Sequence, residues 1–357
     1  MDNASLSRRL LRWFRRHGRK DLPWQHNPTP YRVWISEVML QQTQVATVIP
    51  YYTRFMERFP HVTALASATL DEVLHHWAGL GYYARARHMH RAAHVILAQY
   101  GGELPVDLAA LQTLPGIGRS TAAAILALSG GQAHAILDGN VKRVLCRYHA
   151  VDGWPGRPEV ERRLWTLAQA HTPRRHAADY TQAIMDLGAT VCTRAKPRCD
   201  LCPLNRECTA RLRHAQESFP APRPGKVLPV RSTRFLMLCN PRGEVLLVQR
   251  PPAGLWGGLW GFPECPVDEA AARWCQSTLR CAVYGVKEWS AFRHTFSHFH
   301  LDITPVYARL DGVQQPRVME GGQCVWYNPY MPDARGLASP VKRLLTQLSR
   351  TLREGRG

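Results

Sequence analysis

Four of the ten cysteines fall inside seventeen residues, in the run CTRAKPRCDLCPLNREC, as Cys192, Cys199, Cys202 and Cys208 with the spacing C-x6-C-x2-C-x5-C. Four thiolates in one short loop suit zinc, but zinc ribbons usually present two C-x2-C pairs and this run has one. A cubane iron–sulfur cluster needs four separate corners reached by a wrapping loop, which favours a cluster. Spacing alone leaves zinc and unrelated thiols open. Arg194, Lys196, Arg198 and Arg206 lie in or beside the loop, where they offset cluster charge and offer phosphate contacts. Disulfides are the poorer reading, because no signal peptide precedes the cysteines and a reducing compartment fits better. The other six cysteines, at 146, 239, 265, 275, 281 and 324, are expected to be ordinary thiols.

The chain changes texture after this loop. Residues 5 to about 212 read as short amphipathic helices broken by Gly and Pro, as in DEVLHHWAGL, ARARHMHRAAHVILAQY and STAAAILAL. The Arg-rich start could pass for a transit peptide. Leu6, Leu10, Trp13 and Phe14 share one helical face, however, and the segment runs straight into LPWQ, so a first domain helix is expected. A Pro-rich extended linker follows at 213–230, with prolines at 220, 222, 224 and 229. Beyond it, RFLMLCN and EVLLVQR flank a turn, and HLDITPVYARL and QCVWYN read as further strands. One helix is expected near Asp268. Another is expected after Ser339-Pro340, with Val341, Leu344, Leu345, Leu348 and Leu352 on one face. The expected organisation is therefore multidomain: an all-α domain over 1–212 with the cysteine loop at 192–208, the linker, and an α+β domain over 231–357.

Charge narrows the partners. The 46 Lys+Arg against 27 Asp+Glu give +19, and only six of the 46 are lysine. The excess is 13 through residue 226 (30 basic, 17 acidic) and 6 beyond it (16 and 10), so either domain can meet a polyanion. No apolar run approaches the roughly 18–20 residues that span a bilayer, and no membrane partner is expected.

Two local patterns carry chemistry. LPGIGRSTAAAIL, residues 114–126, places Gly116 and Gly118 between two helical runs. The exposed N–H groups at the start of the second helix suit a DNA phosphate, although a plain αα-turn is the bland alternative. Twenty residues after Gly118, Asp138 stands at the expected start of a helix carrying Val141, Val144, Leu145 and Tyr148. There it is either a simple cap or a carboxylate kept ionised by the helix N-terminus. Glu37 is embedded in apolar sequence, YRVWISEVMLQQ, and burial would raise its pKa. One carboxyl primed as an acid and one held as an anion is what N-glycosidic cleavage needs.

Taken together, the hairpin, the aspartate and the cysteine spacing resemble the helix-hairpin-helix DNA glycosylases of the endonuclease III superfamily. The segments LPWQ, SEVMLQQTQVATVIPYY, GLGYYARAR, ILDGNVKRV and MDLGATVCTR narrow the resemblance to the MutY-type adenine DNA glycosylases, over almost the whole chain. The resemblance implies one [4Fe-4S] cluster on Cys192, Cys199, Cys202 and Cys208. It implies Glu37 as the acid that protonates departing adenine at N7, Asp138 as the stabiliser of the sugar cation or its adduct, and Asn140 as their assistant. Trp24 and Gln182 would line an adenine pocket. Gln41 and Tyr82 would enter the base stack as adenine flips out, and Leu114, Gly116, Gly118, Ser120 and Lys142 would lie on the DNA face. In bifunctional relatives a lysine occupies the position of Ser120 and forms a Schiff base; serine cannot, so base removal without strand cleavage is expected.

VQRPPAGLWGGLWGFPE resembles the opening of a Nudix fold, which raises hydrolysis of a nucleoside diphosphate derivative as a rival. That chemistry needs glutamates holding Mg²⁺ along a helix. DEAAARWCQSTL has acidic residues only at its start, so the fold is expected to be Nudix-like and kept for binding. In FRHTFSHFH, His294, His298 and His300 would share one face of a strand and suggest a metal. The resemblance instead implies a hairpin whose tip, Phe296, Ser297 and His298, reads 8-oxoguanine. A non-catalytic cluster protein would share the cysteines and charge but has no use for Glu37 with Asp138. The expected activity is removal of adenine from A:8-oxoguanine or A:G pairs in duplex DNA, by a monomer in the bacterial cytoplasm, at the nucleoid.

Overall fold

Apolar residues at helical spacing build the first part of the chain, as the computed structural model shows; it describes residues 3–225, 227–252, 254–310 and 323–354. The helices are α1 (Asn3–His17), α2 (Pro30–Leu40), α3 (Val45–Arg58), α4 (Val62–Ser67), α5 (Leu70–Trp77), α6 (Ala84–Tyr100), α7 (Leu108–Thr113), α8 (Arg119–Gly130), α9 (Gly139–His149), α10 (Pro158–His171), α11 (Ala177–Thr190) and the single turn α12 (Thr209–Leu212). Leu6, Leu10 and Phe14 of α1 pack with Val141, Val144, Leu145 and Tyr148 of α9, Leu164 of α10, and Ile184 and Leu187 of α11. Each such side chain contributes about 1.5–3 kcal/mol through burial, so Leu10→Ala should cost about 2–5 kcal/mol. Trp13 is half-buried at the edge of this cluster. Among the described residues no helix is long and apolar enough to cross a membrane.

Capping sets where the site helices begin. Thr29 Oγ1 accepts from Arg32 N at 3.2 Å and Pro30 opens α2, so Glu37 falls two turns into that helix. Asp138 Oδ1 accepts from Val141 N at 2.8 Å and caps α9. The 213–230 stretch is not extended throughout, since Gln216–Ser218 form a 3-10 turn. Arg147, buried on α9, donates from Nε to the carbonyls of Gln216 and Phe219, both at 2.9 Å, which holds the first residues of the expected linker against the helices.

The second part forms one mixed sheet from β1 (Val230–Cys239), β2 (Val245–Gln249), β3 (Trp260–Gly261), β4 (Glu264–Cys265), β5 (Val283–Glu288), β6 (Phe292–Thr295), β7 (His300–Leu310) and β8 (Cys324–Tyr327). The order is β3-β2-β1-β7-β5, with β4 on β1, β6 on β7 and β8 on β2. β1 and β7 run parallel from Val230 opposite His300 to Cys239 opposite Arg309. Pro305 lies between the stretches of β7 that pair with β6 and β5, where its missing N–H costs no ladder bond on that edge. The helix expected near Asp268 begins three residues later, as α13 (Ala271–Trp274), and continues into a π-turn at Cys275–Leu279. Asp268 and Glu269 stay in the preceding turn. The closing helix α14 (Ser339–Glu354) buries Val341, Leu344, Leu345 and Leu348, whereas Leu352 is half-exposed.

By their contacts the residues divide into Met1–Ala66 with His88–Gly225, and Ser67–Arg87 with Lys226–Gly357. The sequence reading placed 67–87 in the helical domain. Their side chains pack with the sheet residues instead: Trp260 Nε1 donates to Asp71 Oδ1 at 3.0 Å and Arg87 Nη1 to the Gly257 carbonyl at 2.8 Å.

Candidate active site

A cleft of about 1140 Å³ opens in the helical unit between the loop after α2, the start of α8, the start of α9 and one face of α11. Trp24, Glu37, Gln41, Ser120, Asp138, Asn140 and Gln182 all line it, so seven of the residues singled out in the sequence meet in one place. Trp24 stands in the wall, edge-on to Tyr52 with ring centroids 5.4 Å apart. Ser120 Oγ accepts from Leu137 N at 3.0 Å, which ties α8 to the residue before Asp138.

The two carboxyls are electrostatically unlike. Burial pushes Glu37 up to about 8, and the charge of Asp138 pushes it the same way. Burial also pushes Asp138 upward, against the hydrogen bonds from Val141 and Asn140 and the charge of Arg143. The helix N-terminus therefore does not by itself hold Asp138 low, as the sequence reading expected, because desolvation outweighs the cap. The asymmetry survives: donors and a guanidinium favour the anion at Asp138, whereas burial and a neighbouring charge act together against it at Glu37.

Behind Asp138 the polar groups form a chain. Asn140 Nδ2 donates to Asp138 Oδ2 at 3.1 Å, and Arg143 Nη2 donates to Asn140 Oδ1 at 2.7 Å. Arg143 also donates from Nη2 to the Gly188 carbonyl and from Nε to the Cys192 carbonyl, both at 2.7 Å. On the facing wall, Gln182 Nε2 donates to Asp186 Oδ1 at 2.8 Å.

Other expected site residues lie elsewhere. Gly116 has φ +80, and a Cβ there would come 2.7 Å from His88 Cβ, so the hairpin turn requires glycine. Gly118 caps α8 and is exposed. Leu114 is 2 % exposed and packs inward, so a side chain expected on the DNA face belongs to the core. Lys142 Nζ lies 2.7 Å from Glu161 Oε1, paired between α9 and α10. Tyr82, at φ +49, is exposed and groups by contacts with the sheet unit.

Cys192, Cys199, Cys202 and Cys208 line a single small pocket with Arg147, Arg198, Arg211 and Gln216, and none of the four is in a disulfide. Arg147 Nη1 lies 3.3 Å from Cys192 Sγ and donates to the Thr193 carbonyl at 2.7 Å. Burial pushes Cys202 up to about 12, and the other three thiols push the same way. Four thiolates so crowded are stable only around a cation. Among the described residues no three His, Cys, Asp or Glu are grouped to hold one metal ion.

Residues 35–170 match the family described as HhH-GPD superfamily base excision DNA repair protein, and residues 234–347 match the NUDIX domain. The adenine DNA glycosylase of Buchnera aphidicola (subsp. Acyrthosiphon pisum) is 38% identical over 352 residues, covering 99% of this chain and 100% of that protein. The chain belongs to the adenine DNA glycosylase family. The human adenine DNA glycosylase is 36% identical over 85% of this chain and 66% of its own length. A thermostable thymine-DNA glycosylase structure aligns with TM-score 0.53 and 26% identity, over 59% of this chain and 97% of that one.

In this adenine DNA glycosylase family member, sequence reasoning passed over Arg19, Arg143, Asp186 and the cleft lip Gln42–Ala46. The polar run QQTQ between two helices was a signal for the lip, and an arginine three residues after Asn140 a signal for Arg143. Asp186 stands four residues after Gln182 inside an apolar helix, which marks it as a buried partner in waiting. In the sheet unit, β6 and β7 form a hairpin closed by Phe296 N to the Phe299 carbonyl at 2.9 Å, with Ser297 and His298 exposed at the tip. Phe296 stacks on Phe299 at 4.7 Å and meets His294 and Trp256 edge-on, at 4.6 and 5.3 Å. His300 Nδ1 lies 3.0 Å from Thr295 Oγ1. The three histidines thus divide among β6, the tip and β7, and do not share one strand face.

Proposed function

We propose that this adenine DNA glycosylase hydrolyses the N-glycosidic bond of adenine opposite 8-oxoguanine or guanine in duplex DNA and leaves an abasic site without cutting the strand. The observation that carries the reading is the pairing, in one cleft, of Glu37 pushed up to about 8 with Asp138 on the α9 N-terminus. Glu37 is protonated near neutral pH and gives its proton to adenine N7, so the base departs neutral; its carboxylate then takes a proton from attacking water. Asp138, as the anion, stabilises the sugar cation or forms the adduct that water resolves. Asn140 holds the Asp138 carboxylate in place. Trp24 offers a face for the extruded base, and Gln41 on the lip and the exposed Tyr82 enter the stack it vacates. Ser120 lacks the amine a lyase requires.

Cys192, Cys199, Cys202 and Cys208 would hold one [4Fe-4S] cluster. Four cysteines of one wrapping loop converge on a single pocket, the donor set that the four separate corners of a cubane would need. When bound, the cluster supplies a fixed anchor for the loop and its cations. The exposed N–H groups around Gly116 and Gly118 receive a backbone phosphate. The tip Phe296-Ser297-His298 reads 8-oxoguanine by stacking and hydrogen bonds. Duplexes carrying A opposite 8-oxoguanine, G, C or T, in single-turnover assays with and without alkali, test the reading. Breaks that appear only after alkali, chiefly with 8-oxoguanine and absent with Glu37→Gln, are expected; equal cutting of all four sinks the specificity claim.

A further inference from the structure

Asp186 lies behind the cleft wall, 1 % exposed, and its carboxylate receives hydrogen bonds from two residues of the wall. Arg19 donates from its backbone N to Oδ2 at 2.8 Å and from Nε and Nη2 to Oδ1 at 2.9 and 2.6 Å. Gln182, one turn earlier on α11 and part of the cleft lining, donates from Nε2 to the same Oδ1 at 2.8 Å. A primary amide has a donor end and an acceptor end of nearly the same shape, so its partner decides which way it points. A carboxylate clamped by a guanidinium only accepts. The reversed amide would set two acceptor oxygens against each other in a buried place. Gln182 therefore spends its donor on Asp186 and leaves Oε1 for whatever occupies the cleft.

We propose that Asp186, itself held by Arg19, is a positioning residue that fixes Gln182 as an acceptor and so selects a base bearing an amino group over one bearing a carbonyl at the same ring position. This rests on the reading that adenine enters this cleft. Adenine presents N6–H₂ as a donor, whereas hypoxanthine carries an oxygen there, as guanine does. An amino group meets Oε1 with a hydrogen bond; a carbonyl meets it lone pair to lone pair, with both groups stripped of water. A site that hydrogen-bonds its substrate rejects the mismatched analogue far more strongly than a site that reads shape alone. Asp186→Asn removes the constraint with almost no change of shape. The new carboxamide can donate to Gln182 Oε1, and the Gln182 amide is then free to turn its Nε2 toward the cleft.

The test is single-turnover excision of adenine and of hypoxanthine, each opposite 8-oxoguanine in the same duplex, by the full-length protein and its Asp186→Asn variant, with thermal melting of both. The unmodified protein should favour adenine by about 10²-fold or more, and Asp186→Asn should narrow that ratio at least tenfold. A ratio that stays fixed, whether both rates fall together or neither changes, means Asp186 merely staples α11 to Arg19 and overturns the inference. Should Asp186→Asn fail to fold, Gln182→Leu takes its place: it lacks both amide ends, so the ratio should flatten, and a retained ratio overturns the inference equally. If the unmodified protein removes neither base, the reading of the cleft falls and the inference with it; adenine excision with an unaltered ratio defeats the inference alone.

Discussion

Gly188 of α11 lies against Asn140 of α9 so closely that a Cβ on Gly188 would come within 2.6 Å of Asn140 Cβ. That approach lets Gln182 and Asp138, on two different helices, line one cleft. Gly188→Ala gains about 1 kcal/mol of helix propensity and loses about 1–3 kcal/mol to overpacking. The net change in melting should be small. The single-turnover rate should fall tenfold or more, because a shift of about 1 Å at a reacting group can cost about 10²-fold. An unchanged rate would show that α9 has room to move.

Excision should follow the proton on Glu37. With that carboxyl pushed up to about 8, the rate declines about tenfold per unit above pH 8, and it falls again on the acid side as Asp138, itself pushed upward by burial, takes up a proton. Stability moves with the same group. Between the unfolded value near 4.5 and the folded value near 8, the folded state binds the extra proton, so folding weakens as pH rises through that window. Glu37→Gln should abolish excision and raise stability at pH 8 by about 1–2 kcal/mol. A pH–rate profile and denaturant unfolding at pH 5 and pH 8 check both signs.

Arg147 joins segments distant in sequence: its guanidinium donates to the carbonyls of Thr193, Arg194, Gln216 and Phe219. Arg147→Met leaves four carbonyls without their donor and should cost about 3–5 kcal/mol. Hydrogen exchange should quicken at 193–219 before it does in α9. Uniform quickening would mean that Arg147 supports the helix rather than the loops.

Lys142 is already engaged by Glu161, half-exposed at 2.7 Å. Such a pair contributes about 0–1 kcal/mol. Lys142→Ala should therefore leave melting nearly unchanged and lower the slope of log affinity against log salt by less than about one. A full unit would show that Lys142 abandons Glu161 for a phosphate when DNA binds.

At the hairpin tip, Ser297→Ala combined with His298→Ala should reduce the preference for 8-oxoguanine over guanine by about tenfold, while excision from a saturated substrate largely persists. Loss of both together would place the tip in overall DNA binding rather than in discrimination.

The elements that sequence revealed are those with a local cause. Leu6, Leu10 and Phe14 announce α1, and Ser339-Pro340 announces α14, by periodicity and capping alone. The cleft was partly legible, since Glu37 among apolar neighbours and Asp138 before a helical stripe are local patterns. Arg19 with Asp186 was not, because the two stand far apart in the chain and meet only when α11 packs beside the loop after α1. Leu114 misled for the opposite reason: a turn next to two glycines looks exposed, yet Leu114 faces the core. The late start of α13 follows from Asp268 and Glu269, which occupy a turn instead of joining the helix.

Residues Ser67–Arg87 belong by contact to the sheet while standing in the midst of the helical stretch. Leu74 lies against Gly336 and near Gly258, and Asp71 accepts from Trp260. A protease cut or a stop codon in the Pro-rich stretch would therefore not release two finished modules. It would strand α5 with a naked apolar side and an orphaned aspartate. Gene fusions that swap the Nudix-like part between relatives inherit the same debt: the graft has to carry α5 along, or an α5 already matched to the new sheet.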